Sequence, residues 1–565
     1  MTGIKKVGKK PKGHKVKDER PAEELPLRYL TELTNLYLVL LFIVYPLYVG
    51  KDFTDIGTAK GRFFHMITYY VTVFGVVRIP LFPILILIGV ILLAIYAWKS
   101  RGTEEITKYK DILRLYVTDY FALAYLLISI VSCIFTPYRK YFMWGFPTWY
   151  MGLTCQIALV TIYFLVSRFW KWNEQAFILS MFALSLVMLL GIINYFKIDP
   201  LGFYYGFEDL KLRRSFISTI GQRTMYSGFV MTLFPLGVWI YMDAEDKKIK
   251  ISSAVFLIIG FMTIIAENAT STIVGLFGMY VVLFQIAFIE NKWMKSFLEV
   301  LLIMLLSWRV MGFLQTAFPE RTEDMNLEKI MVFLCRGRAV WFLIILLIAA
   351  YGLFLWGEKK GFSISNYTVI RNVVIALVII AIAGIVIYIP LNTLELLPET
   401  LRRGQDAGYR ETYLVFRQNW GNTRGQMWIS SVHTIAATLK DDPVRFLIGA
   451  GPDEFYEIVM HYCRDEMDSF FTRIVNCAHN EWLDRMINSG ILGGTAYLGI
   501  FISAFHIIRK NLREHRELGA VLICIASYSA HNFFCYQRIT CTPFIFAIIG
   551  AGLNIIRFGG RRSIA

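Results

Sequence analysis

Long apolar stretches recur along the chain, and they restrict its possible folds more than any other feature. Residues 74–97, 180–195 and 369–389 approach or reach the length that crosses about 30 Å of hydrocarbon. Of the 565 residues, 56% are hydrophobic and only 18% charged, more apolar material than one soluble core of this length needs. Alternating polar and apolar strands of the barrel type are absent, so each span has to satisfy its own backbone as a helix. The expected fold class is an all-α polytopic membrane protein.

Spans are expected at residues 33–49, 63–98, 117–135, 151–166, 175–195, 225–242, 252–267, 272–288, 297–313, 340–355, 369–389, 491–508, 518–534 and 542–556, about 12–14 transmembrane helices. Residues 63–98 count as one crossing, kinked at Pro80 and Pro83. The formal net charge of +16 is spread over short connectors and a Lys-rich tail, which points to orientation in a membrane rather than to nucleic acid. With that tail inside, the basic groups beginning at Lys99, Arg168, Lys247, Lys292, Lys359, Arg509 and Arg557 all fall on the cytoplasmic side. No apolar core precedes the first span, so no cleavable signal peptide is expected. The organisation read this way is a basic cytoplasmic tail (1–30), helices with short loops (31–390), a large external loop (391–486), C-terminal helices (487–557) and a second cytoplasmic tail (558–565).

The loop at 391–486 departs from the short-connector pattern, and connectors this long are usually functional. It carries three histidines, fourteen acidic residues and nine arginines against the single Lys440. Arginine presents a planar fork suited to phosphate oxygens, although pairing with the loop's own acids explains most of these side chains equally well. The eight cysteines show no CxxC pair or metal-ligand spacing; Cys463 and Cys477 share the loop and could form a disulfide.

Four ordered elements lie toward the end of this loop. They are Arg424-Gly425-Gln426-Met427-Trp428, Gly449-Ala450-Gly451-Pro452-Asp453-Glu454-Phe455, Ala478-His479-Asn480-Glu481-Trp482-Leu483 and Gly490-Ile491-Leu492-Gly493-Gly494. Together they resemble the signature of the O-antigen ligase and polymerase family, most sharply from Arg424 to Gly494. The resemblance implies a GT-C-like membrane fold in which the loop lies as partly helical cover over a cavity. It also implies transfer of a glycan from a polyprenyl pyrophosphate donor to an acceptor hydroxyl at the outer face of the cytoplasmic (inner) membrane. The acceptor that the resemblance implies would be a lipid, a protein or another growing glycan. His479 would act on the acceptor and Arg424 would bind the pyrophosphate.

The residues support such a site on their own. The donor is already activated by a stable phosphate leaving group, so the enzyme has to deprotonate a hydroxyl and stabilise negative charge. A helix starting at His479 would disfavour imidazolium and keep the ring available as a base. Trp428 could stack on sugar or anchor the helix at the interface. Asp453 could orient His479 or a sugar hydroxyl, and Asn480 could contact the acceptor or cap a helix. Gly490, Gly493 and Gly494 suit close helix packing.

Upstream, Arg213, Arg214 and Arg223 precede a span, and Ser218 to Arg223 partly resembles the Ser-x-x-Gly-Asn-x-Asn entry found there in the family. Arg223 or Arg214 is a candidate second pyrophosphate ligand; snorkelling to headgroups is the alternative for Arg223. Many members carry Ser-Arg near the outer end of a central helix pair, where this chain has Ser271-Thr272 and no arginine. Glu267 nearby could pair with one of the upstream arginines or lie at a solvated helix terminus. A second pair, His531-Asn532, would line the cavity or make a helix-packing hydrogen bond. A metal held by His433, His461 or His479 with Asp453 or Asp465 has no spacing to support it, and the chemistry requires no metal or nucleotide cofactor. The competing class is a flippase or transporter of the same lipid-linked glycan, which predicts midplane charges and internal symmetry. Neither is evident.

Overall fold

The computed structural model describes residues 25–50, 53–69, 71–73, 77–102, 106–205, 213, 215–322, 327–405 and 413–559. In chain order the helices are α1 (Leu25–Leu47), α2 (Ile56–Thr68), α3 (Leu81–Lys99), α4 (Ile106–Leu113), α5 (Val117–Phe135), α6 (Leu153–Phe169), α7 (Glu174–Tyr195), α8 (Arg223–Asp243), α9 (Lys247–Glu267), α10 (Thr270–Ala287) and α11 (Asn291–Ala317). They continue as α12 (Pro319–Thr322), α13 (Lys329–Arg336), α14 (Arg338–Lys359), α15 (Thr368–Thr393), α16 (Trp420–Asp441), α17 (Pro443–Ile448), α18 (Phe455–Phe470), α19 (Glu481–Asn488), α20 (Gly490–Asn511), α21 (Leu518–His531) and α22 (Thr542–Phe558). Two short hairpins, β1 (Val71–Val73) with β2 (Val77–Ile79) and β3 (Phe216–Ile217) with β4 (Gly221–Gln222), are the strands among the described residues. The protein is an all-α polytopic membrane protein. Among the described residues eleven helices are long and apolar enough to cross a bilayer, and α6, α21 and α22 are shorter apolar helices.

The centre of the bundle is α8, most of whose residues are buried, as a composition apolar all round requires. It packs on α9 and α21; α21 also packs on α10, α22 on α6, and α20 on α5. Small residues allow the close approaches. A methyl at Gly278 would press on Ala526 and Ala530 of α21, and one at Gly260 would meet the ring of Phe234. At the periphery, α14 and α15 bury almost nothing, so lipid is the natural solvent for their isoleucines and valines.

Residues 63–98 do not form one kinked span. Helix α2 stops at Thr68, a hairpin follows, and α3 alone is long and apolar enough to cross. The β-branched run Val71-Thr72-Val73 with Val77 and Ile79 favours strand, and Pro80 disfavours helix at the residue before it. Pro83 then falls in the first turn of α3, where its missing N–H costs nothing. The segment still contributes one crossing.

Chain alternation therefore gathers the 136–152, 196–222 and 532–541 connectors at the same end of the bundle as the α16–α19 loop. The opposite end collects Lys99, Arg101, Lys110, Arg168, Lys171, Lys247, Lys248, Lys292, Lys359, Lys360 and Arg509. One buried charge cluster holds that end together. Asp119, fully buried at the start of α5, accepts hydrogen bonds from Tyr163 at 2.8 Å, Arg168 at 3.3 Å and Arg557 at 3.3 Å, so α5, α6 and α22 share one carboxylate.

The possible disulfide does not form, and neither reading of Glu267 holds. All eight cysteines are free and buried, Cys463 and Cys477 included. Glu267 is neither solvated nor paired with arginine: it is fully buried and accepts the Thr272 hydroxyl across the α9–α10 turn. Arg214 lies outside the described residues.

Removing the carboxylate of Asp119 strands the buried Arg557 guanidinium. Asp119→Ala should therefore cost about 3 kcal/mol or more. A marked drop in the thermal unfolding midpoint of the detergent-purified protein checks this; an unchanged midpoint would show that the cluster is not structural.

Candidate active site at the loop end of the bundle

His479 stands two residues before α19, and the backbone there is unusual. Its φ is +49°, in the left-handed region that residues other than glycine rarely adopt. Asn480 explains why the chain turns here: its Oδ1 accepts the Leu483 N–H at 3.1 Å and caps α19, the second of the two roles open to it from sequence. Two braces hold the preceding residue, Ala478. Its N–H donates to Asp484 at 3.2 Å, and its carbonyl accepts the Trp428 indole N–H at 3.0 Å. Asp484 is itself clamped by Arg485 at 2.7 Å in a buried pair.

Glu481 ties this turn to the rest of the bundle. Fully buried, its carboxylate accepts the hydroxyls of Tyr497 on α20 and Tyr528 on α21 and the amide of Asn532, while its N–H donates to the Asn532 carbonyl at 3.0 Å. Burial pushes its pKa up to about 7 against the pull of those donors. Asn532 in turn bonds His531 at 2.8 Å, whose other nitrogen lies 3.1 Å from Ser227 of α8 and 3.2 Å from Ser271 of α10. The second His-Asn pair is a helix-packing network, not a cavity lining.

Arg424 follows a left-handed run at Gly421, Asn422 and Thr423, whose φ values are +59°, +59° and +70°. This breaks the first turn of α16. The half-buried guanidinium donates to the carbonyls of Gly421 at 2.6 Å and Phe534 at 3.2 Å. Gly425 is required by close approach, since a Cβ there would overlap the Arg417 carbonyl. Trp428 sits with Phe416, Trp420, Phe533 and Phe534 in an aromatic cluster, so it locks the His479 turn as well as filling space.

Asp453 does not reach His479. Its carboxylate accepts the backbone N–H groups of Phe146 at 2.6 Å and Met151 at 3.2 Å, and Glu454 beside it accepts from Tyr141 and from Phe142 at 2.7 Å. Burial raises Asp453 to about 6 and Glu454 to about 7. The pair therefore positions the 136–152 connector. The left-handed φ of Gly449 (+79°), Gly451 (+109°) and Asp453 (+65°) turns the chain so that Ala450 and Gly451 donate to the Ile487 and Asn488 carbonyls.

That connector carries Trp149, stacked on Tyr536 at 3.9 Å between ring centroids. Tyr536 in turn meets the His479 ring edge-on at 4.9 Å and underlies the Arg538 guanidinium at 3.7 Å. Arg538 is a candidate that the sequence reading missed. It is 3% exposed, and none of its three guanidinium nitrogens has a hydrogen-bond partner among the described residues. It lines a cleft with Gly57, Thr148, Trp149, Met225, Ile539 and Thr540. An unpaired buried guanidinium is costly and calls for an anion. The signal available in sequence was that Arg538 is the single charged residue between the last two helices.

Electrostatics complete the arrangement. His479 is half-buried, its Nδ1 closed off without a partner among the described residues. Burial first, then the positive charges of Arg424, Arg538 and Arg473, hold its pKa well below the ordinary histidine value. The ring is thus a neutral base among guanidiniums. Arg223 takes a different position: it opens α8, two residues before Met225 of the cleft, and its charge with that of Arg213 offsets part of the upward shift that burial and Asp199 impose on Tyr204.

Fold and site together define a multi-pass membrane protein in which a small cleft lined by Arg538 adjoins Tyr536 and the His479 imidazole under a partly helical loop. A family model described as O-antigen ligase matches residues 327–498, from α13 into α20, which supports the O-antigen ligase and polymerase family for this chain. Comparison with curated proteins gave no match. The match supports O-antigen ligase-type glycan transfer at a coarse level, and that family implies a lipid-linked glycan, an acceptor and membrane lipids as partners.

Two outcomes follow. Because the folded state disfavours imidazolium, His479 stays deprotonated until pH falls through its lowered pKa, so the acid limb of the pH–rate profile should lie well below the usual histidine value of about 6.5; a limb at or above that value contradicts the electrostatic reading. Arg538→Met should remove an unpaired buried charge and stabilise the fold by roughly 1 kcal/mol or more in denaturation, while lowering turnover. A destabilised variant would mark Arg538 as structural.

Proposed function

We propose that the protein transfers a glycan from a polyprenyl pyrophosphate donor to an acceptor hydroxyl at the outer face of the cytoplasmic membrane, inverting the anomeric centre without a metal. The observation that carries this reading is the neutral His479 imidazole with Arg424 and the unpaired Arg538 around it. His479 takes the acceptor's hydroxyl proton as the oxygen attacks the anomeric carbon, and the bond from that carbon to phosphate breaks. The electron pair leaves on polyprenyl pyrophosphate, whose added charge meets the guanidiniums of Arg538 and Arg424 in a site with little water to compete. One displacement gives inversion. In this account Arg538 supplies the charge expected of Arg223 or Arg214, and Asp453, Asn480 and Trp428 position the loop rather than contact substrate.

Orientation follows from charge. Lysines and arginines crowd the connectors opposite the loop, so the positive-inside rule puts that end and both termini in the cytoplasm and the loop outside. The donor's lipid would then enter from the bilayer beside the cleft.

With purified protein and a polyprenyl pyrophosphate oligosaccharide, wild type should release polyprenyl pyrophosphate as glycan is lengthened or attached. His479→Ala and Arg424→Ala should each slow this at least about 100-fold. Movement of the donor between leaflets without bond cleavage would contradict the proposal and favour a flippase.

A further inference from the structure

Away from His479, three side chains with metal-binding atoms meet where α16 crosses α18. A ring nitrogen of His433, the Sγ of Cys463 and a carboxylate oxygen of Glu466 all lie within 4.8 Å of one another. His433 and Glu466 are already 3.0 Å apart. Helix α18 leaves helical geometry at Cys463, with φ −130° and ψ 30°, and the thiol lies 3.6 Å from both the Ser430 carbonyl and the Thr434 hydroxyl of α16. The thiol is thus buried at the helix contact, whereas the side chains of His433 and Glu466 are about half exposed and free to adjust.

We propose that His433, Cys463 and Glu466 bind a divalent ion of the zinc class, with water in the fourth position. The donor set decides the class: a thiolate and an imidazole with one carboxylate select a borderline ion over magnesium or calcium, which prefer all-oxygen shells. Bonds of about 2.0–2.3 Å place tetrahedral donors roughly 3.2–3.8 Å apart, so the two half-exposed side chains need move by only about 1 Å. Binding converts the Cys463 thiol to thiolate and releases its proton to solvent.

The ion would fasten α18 to α16. Its effect is directed along α16, because Ser430 donates to Glu466 at 3.3 Å and Gln426 donates to Ser430 at 2.9 Å, leading back to the turn that bears Arg424. The site is structural and stands whether or not His479 acts as a base.

The test uses full-length purified protein, stripped with a chelator and titrated with Co2+ alone. A near-ultraviolet thiolate-to-cobalt charge-transfer band should appear, be displaced by Zn2+, and vanish in Cys463→Ser. Zn2+ should raise the unfolding temperature of wild type. His433→Ala, a change at a half-exposed position that leaves the helix contact intact, should weaken Zn2+ binding at least about tenfold. A wild type with no band, a band that survives Cys463→Ser, or Zn2+ affinity unchanged by His433→Ala overturns the site.

Discussion

Everything at the loop end depends on one buried carboxylate. Glu481 has no solvent to stabilise its charge, so it takes hydrogen bonds from Tyr497, Tyr528 and Asn532 instead. Those donors come from α20, α21 and the final connector. A single group thereby fixes the turn that carries His479 against the segment that carries Tyr536 and Arg538. The Arg424 hydrogen bond to the Phe534 carbonyl and the Trp428 contacts with Phe533 and Phe534 reinforce that tie.

A second layer of positioning comes from the glycine turn. Asp453 and Glu454 spend their carboxylates on backbone N–H groups of the 136–152 connector, which brings Trp149 onto Tyr536. Left-handed backbone at Asp453, His479, Asn422 and Thr423 accompanies this, each conformation costing of order 1 kcal/mol that the surrounding packing must over-determine. The result is a cluster of cations held in place before any ligand arrives. Preorganised charge of this kind is what a developing phosphate anion requires, because no reorganisation is left to be done during the reaction.

Much of this was legible in the sequence because membranes impose simple rules. Span length pointed to the helical class, and the four loop motifs pointed to the family whose model matches residues 327–498. What failed needed tertiary information. The stretch from 63 to 98 reads as continuous hydropathy, yet β-branched residues and Pro80 divide it into helix, hairpin and span. Asp453 looks catalytic beside a glycine turn, and only the fold shows that its acceptors are taken by Phe146 and Met151. Arg538 has no motif around it; its significance is that burial leaves it without a partner among the described residues, a property that sequence does not carry.

The central claim is that one cleft holds a diphosphate between guanidiniums beside a neutral imidazole. The most direct measurement is a structure of the protein in a lipid nanodisc with a polyprenyl pyrophosphate bound. The account predicts phosphate oxygens within hydrogen-bond distance of Arg538 and Arg424, with the His479 ring facing the anomeric side. Phosphates resting against Arg213 and Arg223 with Arg538 still unpaired, or at the lysine-rich end of the bundle, would contradict it.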